Sequence, residues 1–266
     1  VKTAREVGIP FAGHIPNAVG LAGALKAKQS TIEHLDGYIE LLEADDSPVK
    51  TADPQTRAKE LHKYLDERKI AALATATRDA GVWTVPTMIL YANIFSRETA
   101  EALRGREEMK YIPPQMLNQW SENRKGQLAN MDPEVGRRLA DIRKKILKGL
   151  QEAGAKIMLG TDAPQLWNVP GFSIHREMQV MSEAGLTPYQ ILESGTRNVA
   201  VYLNTLAESG TVEVGKRADL ILLERNPLES VANVSRRAGV MLRGRWLAES
   251  ELRRMLDQIA ARYKVV

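Results

Sequence analysis

Two histidines and one aspartate of this chain are residue types that bind metals and move protons. The sequence contains only four histidines, and two of them, His14 and His34, each end a short apolar segment. Asp162 ends another such segment, residues 156–162. Two imidazoles can share one divalent cation, and a carboxylate beside metal-bound water can accept its proton. We therefore predict that His14, His34 and Asp162 are metal ligands and that Asp162 is also the catalytic residue.

Each of these three residues also has a purely structural interpretation. Taken singly, His14 or His34 would be a hydrogen-bonded core or cap residue, and Asp162 a turn or N-cap residue before Ala163-Pro164. The functional interpretation depends on their coincidence, because all three end strands of the same predicted type.

Four segments of the chain repeat one design, in which a short apolar strand ends on a polar residue and precedes a helix or loop. They are residues 9–14, 30–34, 82–87 and 156–162, with helices predicted over 17–28 and 173–184. Alternating strands and helices predict a parallel α/β sheet, and strand C-termini are where α/β barrels place their chemistry. A generic doubly wound sheet shows the same alternation and stays open as an alternative.

The remaining segments predict elements around this repeat. Residues 96–152 are charged and helical, with breaks at 111–114 and 131–133, and a further helix covers 188–203. Short strands with tight glycine turns follow within 210–223 and 240–247, and an amphipathic helix covers 249–263. We predict a barrel portion over 1–205, part of a small β domain over 206–248 and a C-terminal helix over 249–266.

Composition narrows the classes of function. The chain has 266 residues, is 44% hydrophobic and has a formal net charge of +4 with both signs interspersed, which predicts a globular protein with no nucleic-acid partner. Cysteine is absent, so disulfides, thiolate nucleophiles and cysteine metal ligands are excluded. No run of eighteen apolar residues or signal-peptide core occurs, so we expect no membrane partner. Localisation, cytoplasmic or periplasmic, stays unknown because signals would lie upstream.

Five motifs in order resemble the amidohydrolase superfamily, in its imidazolonepropionase-like and prolidase-like branch. They are Gly13-His14, Thr31-Ile32-Glu33-His34, Val85-Pro86-Thr87, Gly160-Thr161-Asp162-Ala163-Pro164, and Gly210-Thr211 with Gly215-Lys216-Arg217-Ala218-Asp219-Leu220. The resemblance implies a (β/α)8 TIM barrel, of which this chain forms strands five to eight, joined to part of a small β-sandwich. It also implies His14 as the strand-five ligand, His34 as the strand-six ligand and Asp162 as the water-activating residue of strand eight. The implied cofactor is one or two divalent metal ions, with zinc favoured.

The sequence departs from the family pattern at its start. It contains no His-x-His pair, and Lys2 lies in a helix, so it is not the bridging lysine that many relatives have on strand four. We expect those ligands in an upstream half that is missing here or supplied by another chain. The leading hypothesis is hydrolysis of an amide or peptide-like C–N bond in a small molecule, such as a dipeptide, N-acyl amino acid or cyclic amide. The alternative is a noncatalytic binding or assembly protein with an incomplete fold; a homo-oligomer is compatible with either.

Three further residues are weighed as substrate contacts, and the fourth histidine is not. Tyr91 and Arg97 follow the segment 82–87 and are predicted to bind a substrate carboxylate, for which arginine has a bidentate fork. His175, at the start of the helix after Asp162, is predicted to contact substrate or support the site, with a surface histidine as the alternative. His62 lies in a charged helix and is predicted to be solvent-exposed.

Overall fold

Three short parallel strands form the sheet that positions the site. The computed structural model describes residues 1–263. The strands are β1 (Thr31–Glu33), β2 (Trp83–Val85) and β3 (Lys156–Ile157), in the order β1-β2-β3. Both pairs are parallel, with Thr84 of β2 opposite Ile32 on one side and Ile157 on the other. Parallel neighbours need long crossovers, which helices supply here, so the predicted α/β class is confirmed.

The predicted first strand, residues 9–14, is not a strand in the structure, and that prediction was wrong. The segment runs beside the start of β1 with a backbone bond from Ser30 N to the Phe11 carbonyl, at 2.8 Å. Pro10 has no N–H to donate, and Gly13 has a φ of +117°, so regular pairing is interrupted at both positions. The Gln29 side chain bonds the Gly13 carbonyl at 2.6 Å and fixes the end of the segment instead.

Helices cover most of the remaining chain. The α-helices are α1 (Lys2–Glu6), α2 (Gly20–Ala27), α3 (Tyr38–Leu41), α4 (Pro54–Glu60), α5 (Ile70–Ala80), α6 (Met88–Phe95), α7 (Ala100–Arg104), α8 (Pro114–Asn130), α9 (Pro133–Glu152), α10 (Ser173–Glu183), α11 (Pro188–Ser194), α12 (Arg197–Tyr202) and α13 (Glu249–Tyr263). Short 3-10 helices cover Leu61–Tyr64, Glu67–Lys69, Glu107–Tyr111 and Val231–Ser235. Within residues 1–263, no helix combines the length and apolar character needed to cross a membrane.

The predicted breaks in the long helical segment are confirmed. Proline occupies the first turn of both α8 and α9, where its missing N–H costs nothing, and the Asp132 carboxylate caps α9 through Glu134 N at 2.8 Å. By contrast, the single helix predicted over 188–203 is divided into α11 and α12 at Gly195 and Thr196. A side chain at Gly195 would start 2.8 Å from Leu159, so the break brings the chain close to the residues after β3.

The main hydrophobic core lies between the parallel sheet and its helices. Ile32 and Ile157 of the sheet belong to the same buried cluster as Leu147 and Leu150 of α9. Helices α5 and α9 pack tightly, because Gly149 lets Ile70 approach to within 2.5 Å of where a Cβ would stand. The helices therefore pack closely against one another around the sheet.

The C-terminal region forms a separate antiparallel sheet. Strands β4 (Leu220–Leu223), β5 (Arg237–Leu242) and β6 (Arg245–Ala248) pair in that order, and Gly244, with a φ of +80°, makes the tight turn between β5 and β6. Helix α13 packs on β5 and β6 and confirms the helix predicted over 249–263. The predicted division of the chain into segments 1–205, 206–248 and 249–266 stays a prediction. Residues 264–266 of the last segment lie outside the described residues.

Candidate active site

One pocket joins the ends of all four predicted strand segments. It has a volume of about 540 Å³ and is lined by Ala12, Gly13, His14, Glu33, His34, Val85, Thr87, Gly160, Thr161 and Asp162. We call it the strand-end pocket. The structure thus brings into one pocket His14, His34 and Asp162, which are 20 to 148 positions apart in the sequence.

Three residues of the strand-end pocket have left-handed backbones. The φ angles are +57° at His34, +45° at Thr87 and +55° at Asp162. Such angles are uncommon in residues with a Cβ and cost of order 1–3 kcal/mol each, so surrounding contacts must impose them. At His34 both backbone groups are fixed: its N–H donates to the Val85 carbonyl at 2.9 Å, and its carbonyl accepts from the Arg143 guanidinium.

The His34 ring is buried and held from both sides. Its Nδ1 lies 2.7 Å from the Thr87 hydroxyl, and its Nε2 lies 3.6 Å from Asp162 Oδ2. Burial lowers the pKa of His34 below its usual value, and the nearby Asp162 carboxylate opposes part of that effect. The neutral imidazole is therefore favoured at pH 7, which is the form that binds a metal.

The His14 ring stacks on the His34 ring, and its Nδ1 atom is held by a carboxylate. The two ring centroids are 4.7 Å apart with an interplanar angle of 28°. His14 Nδ1 lies 2.9 Å from Asp36 Oδ2, and that same oxygen accepts from Ile15 N at 3.3 Å. Side-chain exposure falls from 75% at His14 to 21% at Asp36, so the carboxylate fixes the exposed ring from beneath.

The donor set fits part of a metal site. A metal-bound histidine usually uses one ring nitrogen for the metal and the other for a polar partner. Both His14 and His34 have such a partner at Nδ1, while Nε2 and the Asp162 carboxylate remain as nitrogen and oxygen donors. Across residues 1–263, no three His, Cys, Asp or Glu side chains already meet metal-site geometry.

Two charged residues that the sequence analysis did not select support this site. Thr87 occupies the N-cap position of α6, but its hydroxyl is engaged by His34. The fully buried Glu177 carboxylate caps α6 instead, accepting from Met88 N at 2.9 Å and Ile89 N at 2.6 Å. Burial raises the pKa of Glu177 to about 7, against the opposing effect of those two bonds.

Arg143 is the second of these residues and lies beneath the site. Its guanidinium donates to the His34 carbonyl, and its Cζ lies 3.4 Å from the centre of the Tyr91 ring. The side chain is 3% exposed, and burial lowers its pKa to about 10, so it stays charged at pH 7. Arg143 lies 109 positions from His34, so only the folded structure reveals the contact.

The predicted substrate contacts are placed differently from one another. Tyr91 is half-buried beside the site, with its ring centroid 6.4 Å from that of His34. Arg97 is exposed and donates to the Met131 carbonyl at 3.5 Å. His175 is half-buried, and burial lowers its pKa, with a smaller effect in the same direction from the positive charge of Arg237. None of the three lines the strand-end pocket, and only Tyr91 lies next to one of its residues. All three roles stay predictions, and the placement of Arg97 and His175 does not favour theirs.

The exposed position predicted for His62 was wrong. His62 is half-buried, and its Nδ1 is fully enclosed. Helix α9 packs against the 3-10 helix Leu61–Tyr64, and its Val135 and Leu139 line one cavity with His62. The charged sequence around His62 gave no sign of this packing.

His34 and Asp162 follow strands of the parallel sheet, and His14 ends the irregular segment beside it, so the three side chains gather at the C-terminal edge of the sheet, where TIM-barrel-type enzymes carry their active sites. The family model described as Amidohydrolase family matches residues 1–247. The chain belongs to the amidohydrolase family, and the resemblance noted from its motifs is confirmed.

The chain is also similar to individual proteins. Ochratoxinase of Aspergillus niger is 36% identical over 95 residues, which are 35% of this chain and 19% of that protein. A solved structure of bottromycin amidohydrolase is 22% identical with a TM-score of 0.71, covering 99% of this chain and 55% of that one. A Xaa-Pro dipeptidase structure with bound methionine is 21% identical with a TM-score of 0.57, covering 93% of this chain and 47% of that one. The chain spans about half the length of these solved structures.

Proposed function

We propose that this chain contributes the C-terminal half of the active site of a metal-dependent hydrolase that cleaves an amide or peptide-like C–N bond. The observation that supports the proposal is the strand-end pocket, in which His14, His34 and Asp162 meet at the ends of neighbouring segments. In this proposal residues 9–14 correspond to strand five of a (β/α)8 barrel, and β1, β2 and β3 to strands six, seven and eight. The sheet formed by β4, β5 and β6 corresponds to part of the small β-sandwich.

His14 and His34 would bind a divalent metal through Nε2, with zinc the first candidate because imidazole and carboxylate donors suit it. A metal bound there polarises a substrate carbonyl and makes water more acidic. Asp36 and Thr87 orient the two rings through Nδ1. The remaining ligands are assigned to the half of the family fold that this chain does not span.

Asp162 is the proposed general base. Its side chain is 36% exposed, so water and substrate can reach the carboxylate, and its Oδ2 is oriented by the Gln165 amide. The carboxylate accepts a proton from the attacking water and returns it to the leaving nitrogen, which lets the amine depart neutral. Burial of the neighbouring His34 keeps that ring neutral, so it does not compete for the proton.

The proposed substrates are small amides, namely dipeptides, N-acyl amino acids or cyclic amides. The similarity to proteins described as ochratoxinase, Xaa-Pro dipeptidase and bottromycin amidohydrolase supports this class. The full-length protein, loaded with zinc, should hydrolyse members of such a panel and lose activity with a chelator. Hydrolysis of esters alone, or of no member of the panel with any of Zn²⁺, Mn²⁺ or Co²⁺, would contradict the proposal.

A further inference from the structure

Two buried asparagines join the loop that follows Asp162 to helix α6. Asn168 is fully buried, Asn93 is 2% exposed, and neither lines the strand-end pocket. Asn168 Nδ2 donates to the Thr161 carbonyl at 2.7 Å, and Asn93 Nδ2 donates to Asn168 Oδ1 at 2.9 Å. Thr161 directly precedes Asp162, the proposed general base. We call Asn93 and Asn168 the asparagine bridge, because they connect the backbone that carries the base to a helix 75 positions away.

The partners at both ends fix the direction of the hydrogen bonds in the asparagine bridge. The Thr161 carbonyl can only accept, so it must face the amide nitrogen of Asn168. At the other end the Arg106 guanidinium can only donate, and it donates to Asn93 Oδ1 at 3.1 Å. Neither amide can therefore be flipped without placing two acceptors or two donors face to face. The bridge has one hydrogen-bonded arrangement.

The loop that begins at Asp162 needs such support. Asp162, Leu166 and Trp167 have φ angles of +55°, +45° and +71°, which residues with a Cβ rarely adopt. Asn93 Nδ2 also donates to the Leu166 carbonyl, at 3.2 Å. The buried Trp167 ring packs on Trp120 of α8, with the ring centroids 5.6 Å apart. Left-handed residues persist only where surrounding contacts impose them, and the asparagine bridge supplies such contacts on both sides of Asp162.

Helix α6 thereby contacts the supports of two residues of the site. Its N-cap residue, Thr87, bonds His34 Nδ1 at 2.7 Å, and Asn93, in its last turn, reaches the Asp162 loop through Asn168. His34 Nε2 and Asp162 Oδ2 are 3.6 Å apart. The separation between the proposed metal ligand and the proposed base therefore depends on one helix that is hydrogen-bonded towards both.

We propose that Asn168, held by Asn93, is a positioning residue for the base of the hydrolysis reaction. It fixes the backbone before Asp162, so that the carboxylate stays where it can accept a proton from the attacking water. This inference rests on the proposed function, to which it adds two residues outside the strand-end pocket. Proton transfer requires hydrogen-bond contact, and a misplacement of about 1 Å can slow a reaction on the order of 100-fold. Loss of the bridge should therefore lower kcat and leave KM unchanged.

Asn93→Asp in the full-length protein removes the bridge and keeps a partner for Arg106. The carboxylate retains the oxygen that accepts from Arg106 and adds the opposite charge, but it cannot donate to Asn168. Asn168 must then lose its bond to position 93 or its bond to Thr161. With one substrate of the amide panel and matched zinc content, kcat should fall about ten-fold or more and KM should change by less than about two-fold. Asn168→Leu, which removes both bonds, should have at least the same effect.

Thr77→Val is the matched control for the loss of a buried hydrogen bond. Thr77 is fully buried in α5, and its hydroxyl bonds the Tyr38 hydroxyl at 2.6 Å and the Leu73 carbonyl at 2.9 Å. It has no bond to the loop that follows Asp162. Its substitution should destabilise the fold in urea but leave kcat unchanged, which separates a positioning role from a merely structural one.

Amide hydrogen exchange of residues 160–168, followed by mass spectrometry, tests the bridge without turnover. Exchange in this segment should be about ten-fold faster or more in Asn93→Asp, and unchanged in Thr77→Val. Equal exchange in Asn93→Asp and the unsubstituted protein would overturn the inference, and so would an unchanged kcat of an active enzyme. If the unsubstituted protein hydrolyses no substrate, the proposed function fails, and the exchange rates still decide whether the asparagine bridge holds the loop.

Discussion

The Glu177→Gln substitution should change how stability depends on pH. The Glu177 carboxylate is fully buried and caps the helix that presents Tyr91 to the site. Burial raises its folded-state pKa to about 7, from 4.5 in the unfolded chain. Between these values the folded state binds more protons than the unfolded state, so the contribution of Glu177 to stability is complete below pH 4.5 and falls as pH rises to 7.

The size of this effect follows from the gap between the two pKa values. At about 1.4 kcal/mol per pKa unit, the gap corresponds to a loss of about 3 kcal/mol across the window. Glutamine cannot ionise, so Glu177→Gln lacks this slope. Instead, the substitution lowers the free energy of unfolding by about 1–3 kcal/mol at every pH, because the amide carbonyl can replace only one of the two acceptor oxygens.

Urea denaturation at intervals between pH 4.5 and 8 measures the prediction. The free energy of unfolding of the unsubstituted protein, relative to that of Glu177→Gln, should fall by about 3 kcal/mol across this range. Glu183→Gln is the matched control. Glu183 ends α10, the helix that contains Glu177, but forms an exposed ion pair with Lys144 at 2.7 Å. If the free energies of unfolding of the unsubstituted protein and Glu177→Gln differ by the same amount at every pH, the reasoning about burial is refuted.

Further substitutions test other contacts. Thr87→Val removes the hydroxyl bonded to His34 Nδ1 at 2.7 Å, and should lower zinc affinity about 10–100-fold in a chelator competition while circular dichroism stays unchanged. Unaltered affinity would show that Thr87 does not orient the ring. Arg124→Met leaves buried carbonyls of residues 93–98 without their donor, and should lower the free energy of unfolding in urea by about 3–5 kcal/mol. A loss below about 1 kcal/mol would contradict this assignment.

The strand ends of the site were predictable because the signal for them is local. An apolar run followed by a polar residue identifies β1 with His34 and β2 with Thr87, and parallel pairing then brings the ends together. Strand lengths were overestimated, since only two or three residues of each predicted segment pair. Residues 9–14 fail as a strand because Pro10 and Gly13 interrupt regular pairing, and the backbone bond from Ser30 N to the Phe11 carbonyl lies just before β1.

The residues that support the site could not be predicted in the same way. Glu177 and Arg143 occur in charged helices, where the sequence indicates solvated side chains. Their partners lie 89 and 109 positions away, so burial depends on how α10 and α9 pack against α6 and the strand ends. His62 was misjudged for the same reason, because tertiary packing of α9 encloses it.

The turnover number of the metal-loaded full-length protein with Asp162→Asn tests the proposed active site most directly. The isosteric amide keeps the shape of the pocket but cannot accept the proton, so kcat should fall by about 10²–10⁴-fold. Asp79→Asn, at an exposed surface ion pair, is the control and should leave kcat unchanged. Turnover by a folded Asp162→Asn protein at the rate of the unsubstituted enzyme would contradict the assignment of Asp162 as the general base.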